Sequence, residues 1–188
     1  MVKMKKTAKD DVEQTILNEE YHARLIQDIE TVAATARVHI PMLHRAMATY
    51  CPEEQVDWVK AYPVYMHDNS GGLCITGKPK DVHNQMAAIA CAFLRNYVDA
   101  RVIPIHELLK PDVDPENPSV LLIPDFYVNS VSGNAAFTNW QLRELYGLLL
   151  NRYVQRRATI LYVQNMTGLR KEYGEATHDL IESQWQIV

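Results

Sequence analysis

Five short, nearly continuous apolar runs constrain this chain more than any other feature: Leu73 to Thr76, Arg101 to Ile105, Val120 to Pro124, Ala158 to Val163 and Trp185 to Val188. Each is short for a helix and lacks the strict alternation of a half-wet strand, so each reads as a strand buried on both faces. Stretches with helix-period apolar positions separate most of them, at Asn84 to Val98, Thr138 to Arg156 and Gly168 to Ser183. Buried strands alternating with helices predict an α/β chain, with a mostly parallel five-stranded sheet covered on both faces. Thr138 or Asn139 suits the N-cap of the long helix, and Arg156 with Arg157 suits its negative end. Pro104 and Pro124 fall inside two of the runs; lacking an N–H, Pro124 must lie at a strand end or face an unpaired side. Two stretches read as loops: Lys110 to Ser119, rich in proline and acids, and Asn129 to Asn134.

Ahead of the strands, residues 9 to 36 contain no proline or glycine, and Val12, Ile16, Leu25, Ile29 and Val32 form a stripe at roughly helical spacing. This predicts one helix of about six or seven turns. Residues 1–36 are therefore read as an N-terminal helical segment and residues 37–188 as the α/β domain. The stripe either packs on the domain or docks on a partner, and Ile16, Leu25, Ile29 and Val32 are its candidate partner-binding residues. Pro41 is expected to end the helical run. A short helix or turn around Leu43 to Ala48 follows, then a second helix from Glu53 to about Tyr62 that Pro63 stops or kinks.

The segment GGLCITGKPKDVHNQMAAIACAFL, residues 71–94, is laid out as strand, loop and helix, like a phosphate-binding P-loop. A working P-loop needs G-x-x-x-x-G-K-[ST], so that backbone N–H groups wrap the phosphates, the lysine reaches them and the hydroxyl holds Mg²⁺. Counting from Gly77, Val82 stands at the second glycine, His83 at the lysine and Asn84 at the hydroxyl. A β-branched valine resists positive φ, and imidazole is shorter than lysine and mostly neutral at pH 7. Lys78 and Lys80 remain in the loop, and a helix N-terminus still favours an anion.

With 188 residues, 47% hydrophobic and 22% charged, the chain has the composition of one globular domain with an appendage. The formal charge of −4 gives no general support for a large nucleic-acid footprint. Cys51, Cys74 and Cys91 are widely spaced and make neither a zinc pattern nor a disulfide framework, which suits a reducing cytosol. The histidines show no recognisable ligand spacing, so no metal site is expected. No apolar run is long enough for a membrane span and no export segment is evident. A cytoplasmic location is expected.

The order GLCITGKPK, a helix ending CAFL, ARVIPIHELL, SVLLIPDF, FTNWQLRELYGLLLNRYVQRRATILYVQNM and LRKEYGEATHDLIESQWQIV resembles the AAA+ domain of DnaC-type bacterial helicase loaders and IstB-type transposition ATPases. The lead-in RVHIPMLHRAMATYCP is similar to the stretch preceding that domain in the family. The resemblance spans about residues 36–188. It implies a P-loop NTPase fold, an AAA+ core in three α/β/α layers without a lid domain. It also implies that residues 1–35 occupy the place of a helicase-binding region.

Carried over by position, the resemblance makes Asp125 the Mg²⁺-associated carboxylate, puts Phe126 where the catalytic acid belongs, and puts Gln164 or Asn165 at sensor 1. Ala176 and Leu180 replace the two arginines that act on a neighbouring subunit's ATP. The degenerate nucleotide site is thus Gly77, Lys78, Lys80, His83, Asn84, Asp125 and Gln164. One arginine finger alone is worth on the order of 10³ to 10⁵ in rate. Joint loss of the lysine, hydroxyl, acid and finger implies a pseudo-ATPase with no catalytic residues and no ATP or ADP cofactor.

The expected function is binding a replicative DnaB-class helicase or a functional loader, as adaptor or inhibitor of replication, in a setting that suits a phage or mobile element. Self-association is a further expectation. Two alternatives stand beside it. One is a nucleotide-binding switch or weak ATPase assisting a helicase or transposase. The other is a single-stranded DNA-binding accessory protein, with Arg152, Arg156, Arg157, Arg170 and Lys171 as candidate DNA contacts.

Overall fold

The computed structural model of the protein describes residues 16–68, 70–128 and 137–188. All five expected strands form: β1 (Gly72–Thr76), β2 (Ala100–Val102), β3 (Val120–Tyr127), β4 (Ala158–Val163) and β5 (Trp185–Ile187). Their order across the sheet is β2-β3-β4-β1-β5, and every pairing is parallel. Parallel neighbours need crossovers, and helices supply them on both faces.

Side chains alternate along the strands and divide the core in two. Leu73, Ile75, Val120, Leu122, Ala158 and Ile160 face one way, onto α2 (Ile29–Ala36), α3 (Ile40–Leu43), α4 (Glu53–Lys60) and α6 (Val82–Arg95). Cys74, Leu121, Ile123, Leu161 and Val163 face the other way, onto α7 (Ile105–Leu108), α8 (Asn139–Val154), α9 (Met166–Tyr173) and α10 (Glu175–Gln184). The α6 run buries Met86 and every residue from Ala88 to Leu94, which explains its unbroken apolar stretch. Thr138 forms a capping box with Gln141 at the start of α8, as its sequence position suggested.

Both awkward prolines are accommodated. Pro104 lies past β2 and is the N-cap of α7. In β3, Ile123 pairs with Leu161 and Tyr127 with Val163, so Pro124, Asp125 and Phe126 stand opposite Tyr162 alone. Pro124 therefore sits in a bulge, where a missing N–H interrupts no ladder. Close approach constrains Gly72 as well: it has φ +147, and a Cβ there would meet the Thr159 carbonyl oxygen at 1.9 Å.

Several boundaries differ from the sequence reading. Pro41 begins α3 and Pro63 lies in the first turn of α5 (Tyr62–His67), so each proline starts a helix where the sequence suggested a stop. The last long helical stretch breaks at Gly174, with φ +92, into α9 and α10. The expected helix of residues 9–36 is two short helices within the described residues, α1 (Ala23–Gln27) and α2, broken at Asp28. Residues 9–15 of it, and the expected loop Asn129 to Asn134, lie outside the described residues.

The boundary drawn at residue 36 has no packing counterpart among the described residues. Leu17, Leu25, Ala33 and Ala36 are buried in the same core as α6 and the sheet. The Asn18 N–H donates to His22 Nδ1 at 3.0 Å. His22 Nε2 lies 3.2 Å from the Arg95 carbonyl, so the ring fastens this segment to the end of α6 with its proton on Nε2. Arg37, which ends α2 in a left-handed conformation, pairs with Glu107 of α7.

Candidate functional site

The loop after β1 leaves the carboxyl end of a central strand, where ligands bind in sheets of this kind. Gly77 has φ +85, and its carbonyl accepts from the Tyr162 hydroxyl at 2.8 Å. Lys78, Lys80, His83 and Asn84 are all exposed. The decisive group is Asp81, the N-cap of α6, which accepts from the Asn84 N–H at 3.0 Å and from the Asn84 side-chain amide. The anion that a helix N-terminus attracts is here supplied by the chain itself. A phosphate entering this position would displace a carboxylate or face its charge. The sequence reading missed Asp81, although an Asp immediately before a helical run is the ordinary N-cap signal.

Asp125, which the resemblance matches to an Mg²⁺-associated carboxylate, serves the fold. Its Oδ1 accepts from the Ile105 N–H at 2.8 Å at the start of α7. Phe126 is 1% exposed and packs edge-on to Tyr173, with ring centroids 5.5 Å apart. The Tyr173 hydroxyl donates to the Phe126 carbonyl at 2.8 Å. Burial, reinforced by the negative charge of Asp125, pushes the Tyr173 phenol up. Burial, reinforced by the bond to Glu172, pushes Tyr127 up to about 12. Leu180 is half-buried against the second core. Phe126 and Leu180 thus fill the fold, with Phe126 in aromatic packing on Tyr173.

At the end of β4, the Gln164 N–H donates to the Tyr127 carbonyl at 2.8 Å, extending the strand pairing. The Asn165 side chain accepts from Thr167 N at 2.9 Å and Gly168 N at 3.3 Å, capping α9. Of the two sensor candidates, Asn165 is engaged as a helix cap. His83 lies in the first turn of α6, which follows the loop after β1; Asp125 lies near the end of β3, and Gln164 directly follows β4.

The proposed DNA-contact residues do not form one surface. Arg152 is fully buried, donating to Thr159 Oγ1 at 2.9 Å, Ala158 O at 2.6 Å and the carbonyls of Pro115 and Pro118 at 2.9 and 3.0 Å. Burial pulls its pKa down to about 10, which leaves it charged at neutral pH. Arg157 holds the same loop through the Glu116 and Asn117 carbonyls. Arg170 pairs with Glu175. Arg156 and Lys171 are exposed, but Arg156 precedes β4 whereas Lys171 lies in α9, which follows it. Helix α9 ends at Tyr173 beside the Phe126 carbonyl, so the two groups flank opposite ends of the sheet.

The candidate partner-binding stripe is largely committed too. Leu25 is buried, and Ile29 and Val32 pack against the first core; Ile16 is exposed. On the outer side, Leu17, Ala23, Ile26, Ile29 and Ile40 line an apolar groove of about 650 Å³.

Cys51, Cys74 and Cys91 are free and buried, and burial pushes each thiol from an ordinary 9.0 up to about 12. Inert thiols follow, because the thiolate is the reactive form. Native protein at pH 8 should leave them unmodified by an alkylating reagent, with reaction only after unfolding. Rapid native labelling would contradict the packing. Between pH 9.0 and 12 the folded thiols hold protons that unfolded ones release, so their contribution to stability is complete below pH 9.0 and falls as pH rises.

One grouping departs from the histidine spacing considered in the sequence: His178, Asp179 and Glu182 of α10 bring ligand atoms within 4.8 Å of one another. His178 Nδ1 lies 3.0 Å from Asp179 Oδ1 and 3.8 Å from Glu182 Oε2, a geometry that two helix-neighbour carboxylates around an imidazole account for.

No helix among the described residues is long and apolar enough to cross a membrane. No family model matches the sequence, and no curated protein matches it. Solved structures do. The crystal structure of the DnaC helicase loader matches with a TM-score of 0.54 and 17% identity, over 76% of this chain and 94% of that one. A candidate primosome component from Streptococcus pyogenes serotype M3 matches with a TM-score of 0.50 and 14% identity, over 92% of this chain and 88% of that one. The resemblance read from segment order and the parallel sheet reach the same conclusion: the chain has the P-loop NTPase fold of the DnaC helicase loader.

Proposed function

We propose that this chain is a helicase-loader-like protein without ATPase activity, acting by binding a DnaB-class replicative helicase or a functional loader. The observation that carries the reading is the Asp81 carboxylate on the N-terminus of α6, where a phosphate would otherwise sit. Asp125 supports it, being engaged by the Ile105 N–H, as does Phe126, buried where the catalytic acid belongs. What the fold retains is surface. A subunit with no ATP cleft and no finger, joining a ring whose active sites are shared between neighbours, would arrest that ring.

The groove lined by Leu17, Ala23, Ile26 and Ile40 is the contact we assign to the partner on the N-terminal segment. Ile29 belongs both to the stripe and to this groove, so the contact moves along the same segment from Leu25 to the groove wall. Equilibrium binding of purified helicase and of loader to the full chain tests the proposal. Saturable binding at micromolar concentration is expected, and Ala23→Glu on the groove wall should weaken it about tenfold or more. No binding of either protein at tens of micromolar would end this reading.

A further inference from the structure

The long helix α8 carries a surface that neither core uses. Its buried residues Leu145, Leu148, Leu149 and Arg152 occupy one side, and at about 100° per residue Gly147 points away from them. Along that outer line lie Trp140, Arg143, Gly147, Leu150 and Val154, spaced alternately three and four apart like a helix-packing seam. Trp140 is 64% exposed and Val154 69%. A Cβ on Gly147 would have nothing within 4 Å, so no contact inside the chain requires glycine there. Glycine nonetheless weakens a helix interior, and its absent side chain allows close approach from outside.

The seam is centred on Gly147, with Trp140 and Val154 equally far along the helix on either side. A two-fold at Gly147 maps the ends of this line onto each other, and it sets Leu150 opposite Glu144. Two α8 helices crossing antiparallel at Gly147 place Trp140 of one copy against Val154 of the other, as an isologous two-fold contact requires. The same rotation sets Arg143 opposite Asn151 of the second copy. Asn151 Nδ2 donates to Glu116 Oε1 at 2.9 Å, and Asp114 and Glu116 line a groove of about 550 Å³ that Arg143, Gly147 and Asn151 of the same chain also line. The seam's exposed cation therefore meets an acidic rim.

We propose that α8 docks on a second copy of this chain across a two-fold axis at Gly147. The seam is about 21 Å long, less than the roughly 800 Å² per partner of a stable interface would need by itself, so the dimer is weak and reversible. This inference is independent of the nucleotide-site reading.

Disulfide trapping tests it, because the three native thiols are buried and unreactive. Under mild oxidation Gly147→Cys should form a covalent dimer about tenfold faster than Lys171→Cys, an exposed control on α9, since a disulfide needs Cα atoms within about 7 Å. In sedimentation velocity the full chain should show concentration-dependent dimer that Gly147→Glu abolishes; glutamate favours helix over glycine, so unfolding would not explain the loss. Equal trapping at both positions, dimer that survives Gly147→Glu, or a monomer up to about 1 mM would each overturn the proposal.

Discussion

Arg152→Met should destabilise the protein by about 3 to 5 kcal/mol, as expected when one member of a buried, hydrogen-bonded charge cluster is removed. The guanidinium is the hub between the loop 110–119 and the start of β4: it bonds Pro115 and Pro118 carbonyls on one side and Ala158 and Thr159 on the other. Without it, those acceptors are left without their donor in a dry site, whereas the apolar stem is replaced well by methionine. Arg152→Lys should recover little, because an ammonium cannot span acceptors that a planar fork reaches together. At about 2 to 4 °C per kcal/mol for a chain of this size, the melting temperature should fall by roughly 10 °C. Urea unfolding checks this; a loss under about 1 kcal/mol would mean that the loop is held by something else.

Arg152 also shows what sequence can and cannot expose. An arginine close to a helix end reads as a solvated cation or a phosphate contact. Only the return of the loop 110–119 across that helix end turns it inward, a long-range event with no local signature. Leu25 failed in the same way: helical spacing identified its stripe, but spacing cannot say whether the face meets the domain or a partner. The strands were legible because burial on both faces makes their runs continuous, so Ala158–Val163 was placed to the residue. Helix starts were less legible where proline was taken as a stop. Pro41 and Pro63 each fit a first turn, where the missing N–H has no partner to lose. The sequence showed Val82, His83 and Phe126 departing from the P-loop and loader pattern it resembles. The Asp81 cap and the aromatic packing of Phe126 on Tyr173 required coordinates.

Nucleotide affinity should be lost by a margin that one compensating contact would not restore. A charge-assisted hydrogen bond is worth about 1.5 to 3 kcal/mol. Losing the lysine and placing a carboxylate on the helix N-terminus removes on the order of two such interactions, about 3 to 6 kcal/mol. That is roughly two to four orders of magnitude in affinity. Exposed Lys78 and Lys80 lie in solvent and would recover little of it.

Calorimetric titration of the full chain with Mg-ATP and Mg-ADP tests this directly. The account expects no saturable heat up to about millimolar nucleotide. Magnesium-dependent binding that Asp125→Ala abolishes would contradict it and would make the protein a nucleotide switch.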